Sequence, residues 1–343
     1  PAAMPNERRP MDILINRLGA RGDGIADTAD GPVYVPFALP GETVSARIGK
    51  SRGEGRAADL REVLSPSADR QEAACRHFGP GENGCGGCVA QHIAPGAYTG
   101  WKRGVVSAAL ARHRIDVEVL PVVTVSPASR RRVRLAFRDL AGGMVIGFRS
   151  GRSDRIVDIA ECPVALPGIV TLVPRLREFL AGRADRGEIA ITHTDQGADV
   201  VVFCRREPDL DLRLDAPAFC DDAGIARLAW STGEGAFNAD PPEPVIVLQT
   251  PSVDFGGVTV RLPSDSFLQP TEDGETALRT FVLDAVGDAD TVADLYAGCG
   301  AFALPLAAAG KTVTAIEGLA AQTAAIRQAG AGDAGKSLKI AAE

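Results

Sequence analysis

Apolar positions recur at short intervals through the first sixty-five residues, at Ile13 to Ile15, Val33 to Val35, Thr43 to Ile48 and Ala57 to Val63. Between them lie residues 19–24, Pro40-Gly41 and Gly53-Glu54-Gly55. Short strands with a turn every ten or so residues predict a small all-β unit of the OB-barrel type. Ser65-Pro66-Ser67 reads as a linker. Residues 97–115 then adopt helical spacing. Trp101, Val105, Ala108, Ala109 and Ala111 are available for one buried face, and Lys102, Arg103, Arg112 and Arg114 break up the rest.

From Val122 to about Pro263 the pattern is mainly that of strands. Residues 130–137 alternate, with Val133, Leu135 and Phe137 on one side and Arg132, Arg134 and Arg138 on the other. Such an arginine face suits phosphate, or is an exposed sheet face and no more. Met144 to Phe148 reads as the returning strand of a hairpin turning at Gly142-Gly143. One helix, Leu166 to Leu180, interrupts. Further strands are expected at residues 188–194, 200–204, 226–230, 245–250 and 258–262.

After Ser264 helix and strand alternate. Helices are expected over 271–286, 301–309 and 319–328, and strands over 291–296 and 312–317. Thr271, with acids at 272, 273 and 275, makes a helix cap. Strand, glycine loop, helix, strand is the opening of a parallel nucleotide-binding sheet. About fifty residues follow Thr291, enough for two strands where such sheets commonly have about five to seven. The chain is therefore expected to be cut short inside its last domain, and Pro1 in place of an initiator methionine fits a fragment. The fold class expected is multi-domain α+β and α/β.

Composition changes this picture little. At 343 residues, about 150 residues per domain suggests two or three domains. Met4 to Gly24 shows no secretory pattern, and Leu295 to Gly310 is too short and too broken to span a bilayer. A cytoplasmic chain with no membrane partner is expected. There, clustered cysteines point to metal or catalysis rather than disulfides, and seven is an odd number. Net charge is −7, but residues 101–155 hold twelve Lys/Arg against four Asp/Glu, and residues 205–290 six against seventeen. One polarised face able to meet phosphates is a reading of that split, and solvated surface charge is the other.

Cys75, Cys85 and Cys88 crowd one loop and Cys162, followed by Pro163, stands far downstream. Two ligands on a Gly-Gly turn, a third upstream and a distant fourth are how a metal or iron–sulfur centre is held. Spacing does not separate zinc from iron–sulfur, and His77 or His92 could replace one cysteine. Cys204, Cys220 and Cys299 lack ligand spacing and are expected to pack in cores. In the loop Asp294 to Gly300, Gly298-x-Gly300-x-x-Ala303 after an apolar strand also matches a dinucleotide fingerprint, with Glu317 as ribose acid. Asp294 leans towards a sulfonium cofactor, whose amino and cationic groups favour a carboxylate nearby.

Together these motifs resemble the iron–sulfur-containing branch of the RNA uridine-C5 methyltransferases, which make 5-methyluridine in ribosomal or transfer RNA. Residues 11–66, with Pro40-Gly41-Glu42, look like its TRAM domain. Cys75 to His92, with Trp101-Lys102, looks like its cluster loop. Phe267-Leu268-Gln269 resembles its Phe-x-Gln motif. Asp294-Leu295-Tyr296 through Leu306, and Ala315-Ile316-Glu317, resemble its cofactor motifs.

The resemblance implies three domains. Residues 1–66 would be a TRAM-type RNA-binding barrel. Residues 67–263 would be a central β-rich domain with the cluster loop, its helix 97–115 free to pack on the catalytic domain. Residues 264–343 would begin a Rossmann-like methyltransferase domain, incomplete here. Cys75, Cys85, Cys88 and Cys162 would ligate a [4Fe-4S] cluster. Gln269, Tyr296 and Glu317 would contact S-adenosylmethionine, Glu317 through the ribose hydroxyls, with Asp294, Gly298 and Gly300 shaping the pocket. The partner would be RNA, ribosomal rather than transfer, and the chain a monomer.

The family reaction adds a cysteine thiolate to carbon 6 of uracil, so that carbon 5 attacks the sulfonium methyl, and then removes the carbon 5 proton. The target base must leave its stack. The family's Ser-Cys-Asn-Pro nucleophile run and its Asp-Pro-Pro-Arg motif do not occur before Glu343. No catalytic residue is therefore assigned, and the chain by itself is not expected to methylate. A non-catalytic RNA-binding module keeping barrel and cluster is one alternative. An NAD-dependent oxidoreductase with a metal centre, which predicts nicotinamide binding and no barrel, is another.

Overall fold

The computed structural model describes residues 9–151, 153–233, 241–331 and 338–341. Pro1 and Glu343 lie outside them. The chain divides into two compact units, residues 1–122 with 148–157, and residues 123–147 with 158–343.

The first unit opens with six strands: β1 (Met11–Leu14), β2 (Arg17–Leu18), β3 (Asp23–Thr28), β4 (Gly31–Pro36), β5 (Thr43–Arg52) and β6 (Gly55–Ser65). They form one sheet in the order β1-β5-β6-β4-β3-β2, antiparallel except where β4 runs parallel to β6. Alternation drives it: Val33 and Val35 of β4 and Val44 and Ala46 of β5 turn inward onto Ile13, Ile15 and Ala58. Residues 19–24, expected as a turn, give up their last two positions to β3.

The linker after β6 is held by a buried acid. Glu42, fully buried, accepts from Arg70 Nε at 2.5 Å and Nη2 at 2.8 Å, and from the backbone N–H groups of Leu39 and Ser67. Burial pushes its carboxyl up, but these donors outweigh that and hold it below the usual range. The helix α1 (Pro95–Arg112) buries no residue completely, and Trp101 Nε1 donates to the Gly19 carbonyl at 3.0 Å. The expected helix 97–115 therefore groups with the N-terminal sheet.

The second unit holds most of a seven-stranded sheet in the order β13-β12-β11-β10-β7-β8-β9. Its strands are β7 (Arg132–Leu140), β8 (Gly143–Arg149), β9 (Ile156–Asp158), β10 (Arg186–Thr194), β11 (Gly197–Cys204), β12 (Ile225–Ser231) and β13 (Glu243–Val247). The tip of the β8–β9 hairpin, residues 148–157, counts with the first unit. Two helices, α2 (Pro167–Leu180) and α3 (Leu210–Ala223), meet through Phe179 and Phe219, whose stacked rings lie 3.9 Å apart.

The β14–β15 hairpin (Ser252–Asp254, Thr259–Arg261) precedes α4 (Glu272–Val286), β16 (Thr291–Leu295), α5 (Ala303–Ala308), β17 (Thr312–Ile316), α6 (Ala320–Ala329) and β18 (Leu338–Ala341). Among the described residues, β16, β17 and β18 form a parallel sheet in that order. Val253, Phe255 and Val260 of the hairpin share one core with Leu268, Leu304, Val313 and Ile326. The hairpin thus packs with the elements after 264, although the strand pattern joins it to those before.

Candidate cofactor and RNA site

The glycine loop leaves β16 in an unusual backbone. Tyr296, Gly298 and Gly300 all take positive φ, at 59°, 59° and 92°. A non-glycine residue there costs roughly 1 kcal/mol or more, and such strain concentrates at functional sites. Tyr296 is 94% exposed. Gly300 must be glycine on space as well as angle, since a Cβ would stand 2.8 Å from Leu304 Cδ1.

Glu317, just past β17, reaches across to this loop. Its Oε2 accepts the Gly298 N–H at 2.8 Å and its Oε1 the Leu319 N–H at 2.9 Å. Two carboxylate oxygens have about four acceptor positions, so the group retains capacity for ligand hydroxyls. Asp294 Oδ2 is buried with no hydrogen-bond partner. Burial pushes that carboxyl above its ordinary pKa, and the Ala303 N–H at the start of α5 opposes the shift. Cys299 is buried in the same loop, and burial raises its thiol despite a hydrogen bond with Ser266.

Asp294, Tyr296, Gly298, Gly300 and Glu317 are therefore brought together on adjacent parallel strands and their connections. Gln269 lies on the loop ahead of α4. Its carbonyl accepts from Arg131 Nε at 3.2 Å, and the Pro270 carbonyl accepts the Arg131 N–H at 2.8 Å.

The arginine face differs from the expectation of free phosphate contacts. Arg134 grips Asp265 with one nitrogen, at 2.8 and 2.7 Å to its two oxygens, and stacks over the Phe203 ring at 4.5 Å. Arg132 reaches Asp265 at 3.4 Å. Arg131 is buried against Glu275 at 2.7 Å. Of the alternating set only Arg138 is exposed. Asp265, at positive φ of 56°, is the partner that strand periodicity misses. Its one sequence trace is a lone acid in the Pro263-Ser264-Asp265 loop.

In the cysteine loop the glycines allow close backbone passage. A Cβ on Gly86 would lie 2.7 Å from the Arg149 carbonyl oxygen, and one on Gly87 would lie 3.4 Å from Cys85 Sγ. The Gly87 N–H donates to that sulfur at 3.4 Å, and the Cys85 N–H donates to the His77 carbonyl at 2.7 Å. Cys75, Cys85 and Cys88 belong to the first unit and Cys162 to the second. Four thiols and an N–H···S contact are the donor chemistry of an iron–sulfur centre. Among the described residues no three His, Cys, Asp or Glu side chains are placed to hold a metal ion. His92 is buried between Phe37 and Phe78, and neither ring nitrogen has a hydrogen-bond partner.

Residues 6–54 match the TRAM domain model. A protein of Rhizobium meliloti named an uncharacterized RNA methyltransferase is 39% identical over 311 residues, 89% of this chain and 71% of that protein. A likewise named protein of Mesorhizobium japonicum is 41% identical over 317 residues, 92% of this chain and 72% of that one. The 23S rRNA (uracil(1939)-C(5))-methyltransferase RlmD of Halomonas elongata is 35% identical, over 90% of this chain and 65% of its own length. The Pyrococcus abyssi tRNA (uracil-54, C5)-methyltransferase, solved with S-adenosyl-L-homocysteine, shares the fold. Its TM-score is 0.75 at 21% identity, over 97% of this chain and 79% of that one.

A TRAM match at the N-terminus and relatives named RNA methyltransferases over most of the chain put it among RNA-modifying enzymes, here with a mixed α/β fold. Within that class, the chain belongs to the RNA methyltransferase family of these relatives. No described helix is long and apolar enough to cross a membrane.

Proposed function

We propose that this chain binds S-adenosylmethionine at the Asp294–Gly300 loop and serves methylation of uridine carbon 5 in RNA, 23S ribosomal RNA before transfer RNA, as a cytoplasmic monomer. One observation carries the reading: the Glu317 carboxylate is held at the Gly298 amide by a 2.8 Å hydrogen bond. That puts a fixed anion where the loop's missing side chains allow a ribose to approach. Glu317 would take the ribose hydroxyls, and Gly298 and Gly300 would admit the cofactor to the backbone. Gln269 and Tyr296 would contact it, and Asp294 would face its cationic end. When bound, the cofactor supplies an electrophilic methyl group. RlmD, acting on uracil in 23S rRNA, supports the substrate class.

The thiol that adds to carbon 6 is not assigned to Cys204, Cys220 or Cys299. All three are buried, and burial pushes their thiols up, Cys220 to about 12. A buried protonated thiol is a poor nucleophile. Cys75, Cys85, Cys88 and Cys162 are proposed as [4Fe-4S] ligands on their spacing and thiol chemistry, with no chemical step assigned to the cluster. The TRAM segment and Arg138 would contact RNA mainly through backbone phosphates.

Isothermal titration with S-adenosylhomocysteine tests the cofactor reading. The wild-type chain binds, and Glu317→Ala weakens binding by about 10- to 100-fold, the worth of hydrogen bonds to a charged group. Equal affinity of the two proteins overturns it.

A further inference from the structure

Arg131 stands immediately before β7 and is 7% exposed. Its polar groups reach the loop ahead of α4, α4 itself and β10. Its Nε donates to the Gln269 carbonyl at 3.2 Å and its Nη2 to Glu275 Oε2 at 2.7 Å. Its backbone N–H donates to the Pro270 carbonyl, and its own carbonyl accepts the His193 N–H of β10, both at 2.8 Å. Glu275, 1% exposed, lies in the first turn of α4, with Arg279 Nη1 3.8 Å from its other oxygen. One side chain thus ties the seven-stranded sheet to the loop bearing Gln269 and to the helix that follows.

We propose that Arg131 is a positioning residue for the cofactor site, fixing the Gln269 backbone and so the place at which the Gln269 side chain meets S-adenosylmethionine; this rests on the reading that Gln269 contacts the cofactor. The planar guanidinium is suited to the task because its fork reaches two acceptors in fixed directions. A lysine can keep the ion pair with Glu275 but cannot also hold the Gln269 carbonyl in the same geometry. Arg131→Lys therefore separates anchoring of α4 from alignment of Gln269.

The test is S-adenosylhomocysteine titration of the 343-residue chain as wild type, Arg131→Lys, Gln269→Ala and the double variant. Arg131→Lys is expected to weaken binding about tenfold, the size of one charge-assisted hydrogen bond. In the Gln269→Ala background the same change should have no further effect, because alignment without the aligned side chain is worth nothing. A merely structural role lowers affinity by the same factor in both backgrounds, and that result overturns the proposal, as does unchanged affinity in Arg131→Lys. If Arg131→Lys does not fold, Glu275→Gln, which removes the charge that holds the guanidinium while keeping an acceptor, takes its place. The same non-additive loss is then expected, and additive loss again overturns the proposal. Absence of binding by the wild type removes the cofactor reading and this inference together. Binding with additive losses removes the inference only.

Discussion

His92 shows how far burial moves one group. Stacked on Phe78 at 5.5 Å and 3% exposed, it lacks any partner on either ring nitrogen. Burial, and then the charge of Arg70, lower its pKa from 6.5 to about 4, against a small opposing pull from Glu42. The folded chain therefore takes up this proton later than the unfolded chain does. Stability is full above the unfolded value and falls as pH drops from there towards the folded value. A loss of about 2 kcal/mol between about pH 7.5 and about pH 5 follows from 1.36 kcal/mol per unit. Urea midpoints at those two pH values measure it, and His92→Phe should flatten the difference.

At this scale the legible and the hidden divide by distance along the chain. The spacing of Asp294, Gly298, Gly300 and Glu317 was readable because one strand–loop–helix–strand unit sets it. Asp265 was not, because it meets Arg134 across 131 residues, and no local period links a loop acid to a strand arginine. Glu275 reads as a solvated acid at a helix start, and only tertiary packing reveals it as the buried partner of Arg131.

Among elements, helices with strong local signals stand where the pattern puts them. Thr271 Oγ1 accepts the Gly274 N–H at 3.1 Å and opens α4, and α2, α5 and α6 fall within one or two residues of expectation at most ends. The helix α3 was missed. Its buried stripe is only Leu212, Ala216 and Cys220, Pro217 interrupts the pattern, and Leu210 and Leu214 are exposed. Its real signals were the ends, Asp209 accepting the Leu212 N–H and Gly224 in the left-handed region. The β16–α5 turn makes its own prediction. Gly300→Ala puts a methyl 2.8 Å from Leu304 Cδ1 at a φ of 92°, and Leu304 is fully buried and cannot retreat. A loss of about 1–3 kcal/mol is expected, read as a lower urea midpoint with unchanged slope.

For the whole molecule, the sequence pattern divides the chain at 66 and 263, whereas its contacts divide it near 122 and around 148–157. Periodicity reports the type of element, not which elements share a core. The β14–β15 hairpin illustrates this, reading as one more strand pair yet burying Phe255 beside Leu304 and Ile326. The cluster proposal belongs at this scale because its four thiols lie on both units. Anaerobic purification should yield about four iron atoms per chain and a broad visible absorption. Cys162→Ser should lower the iron content, whereas a single zinc or no metal in the wild type would refute the assignment.

The Asp265 clamp has a consequence for how such a chain would grip a polyanion. Affinity for nucleic acid weakens with ionic strength by roughly 0.7–0.9 decade per decade of salt for each phosphate neutralised, because each contact sheds a condensed counterion. Arg131, Arg132 and Arg134 already lie against carboxylates. A guanidinium so engaged has no phosphate to neutralise until its acid lets go, so the twelve cations of residues 101–155 would respond to salt more gently than their number implies.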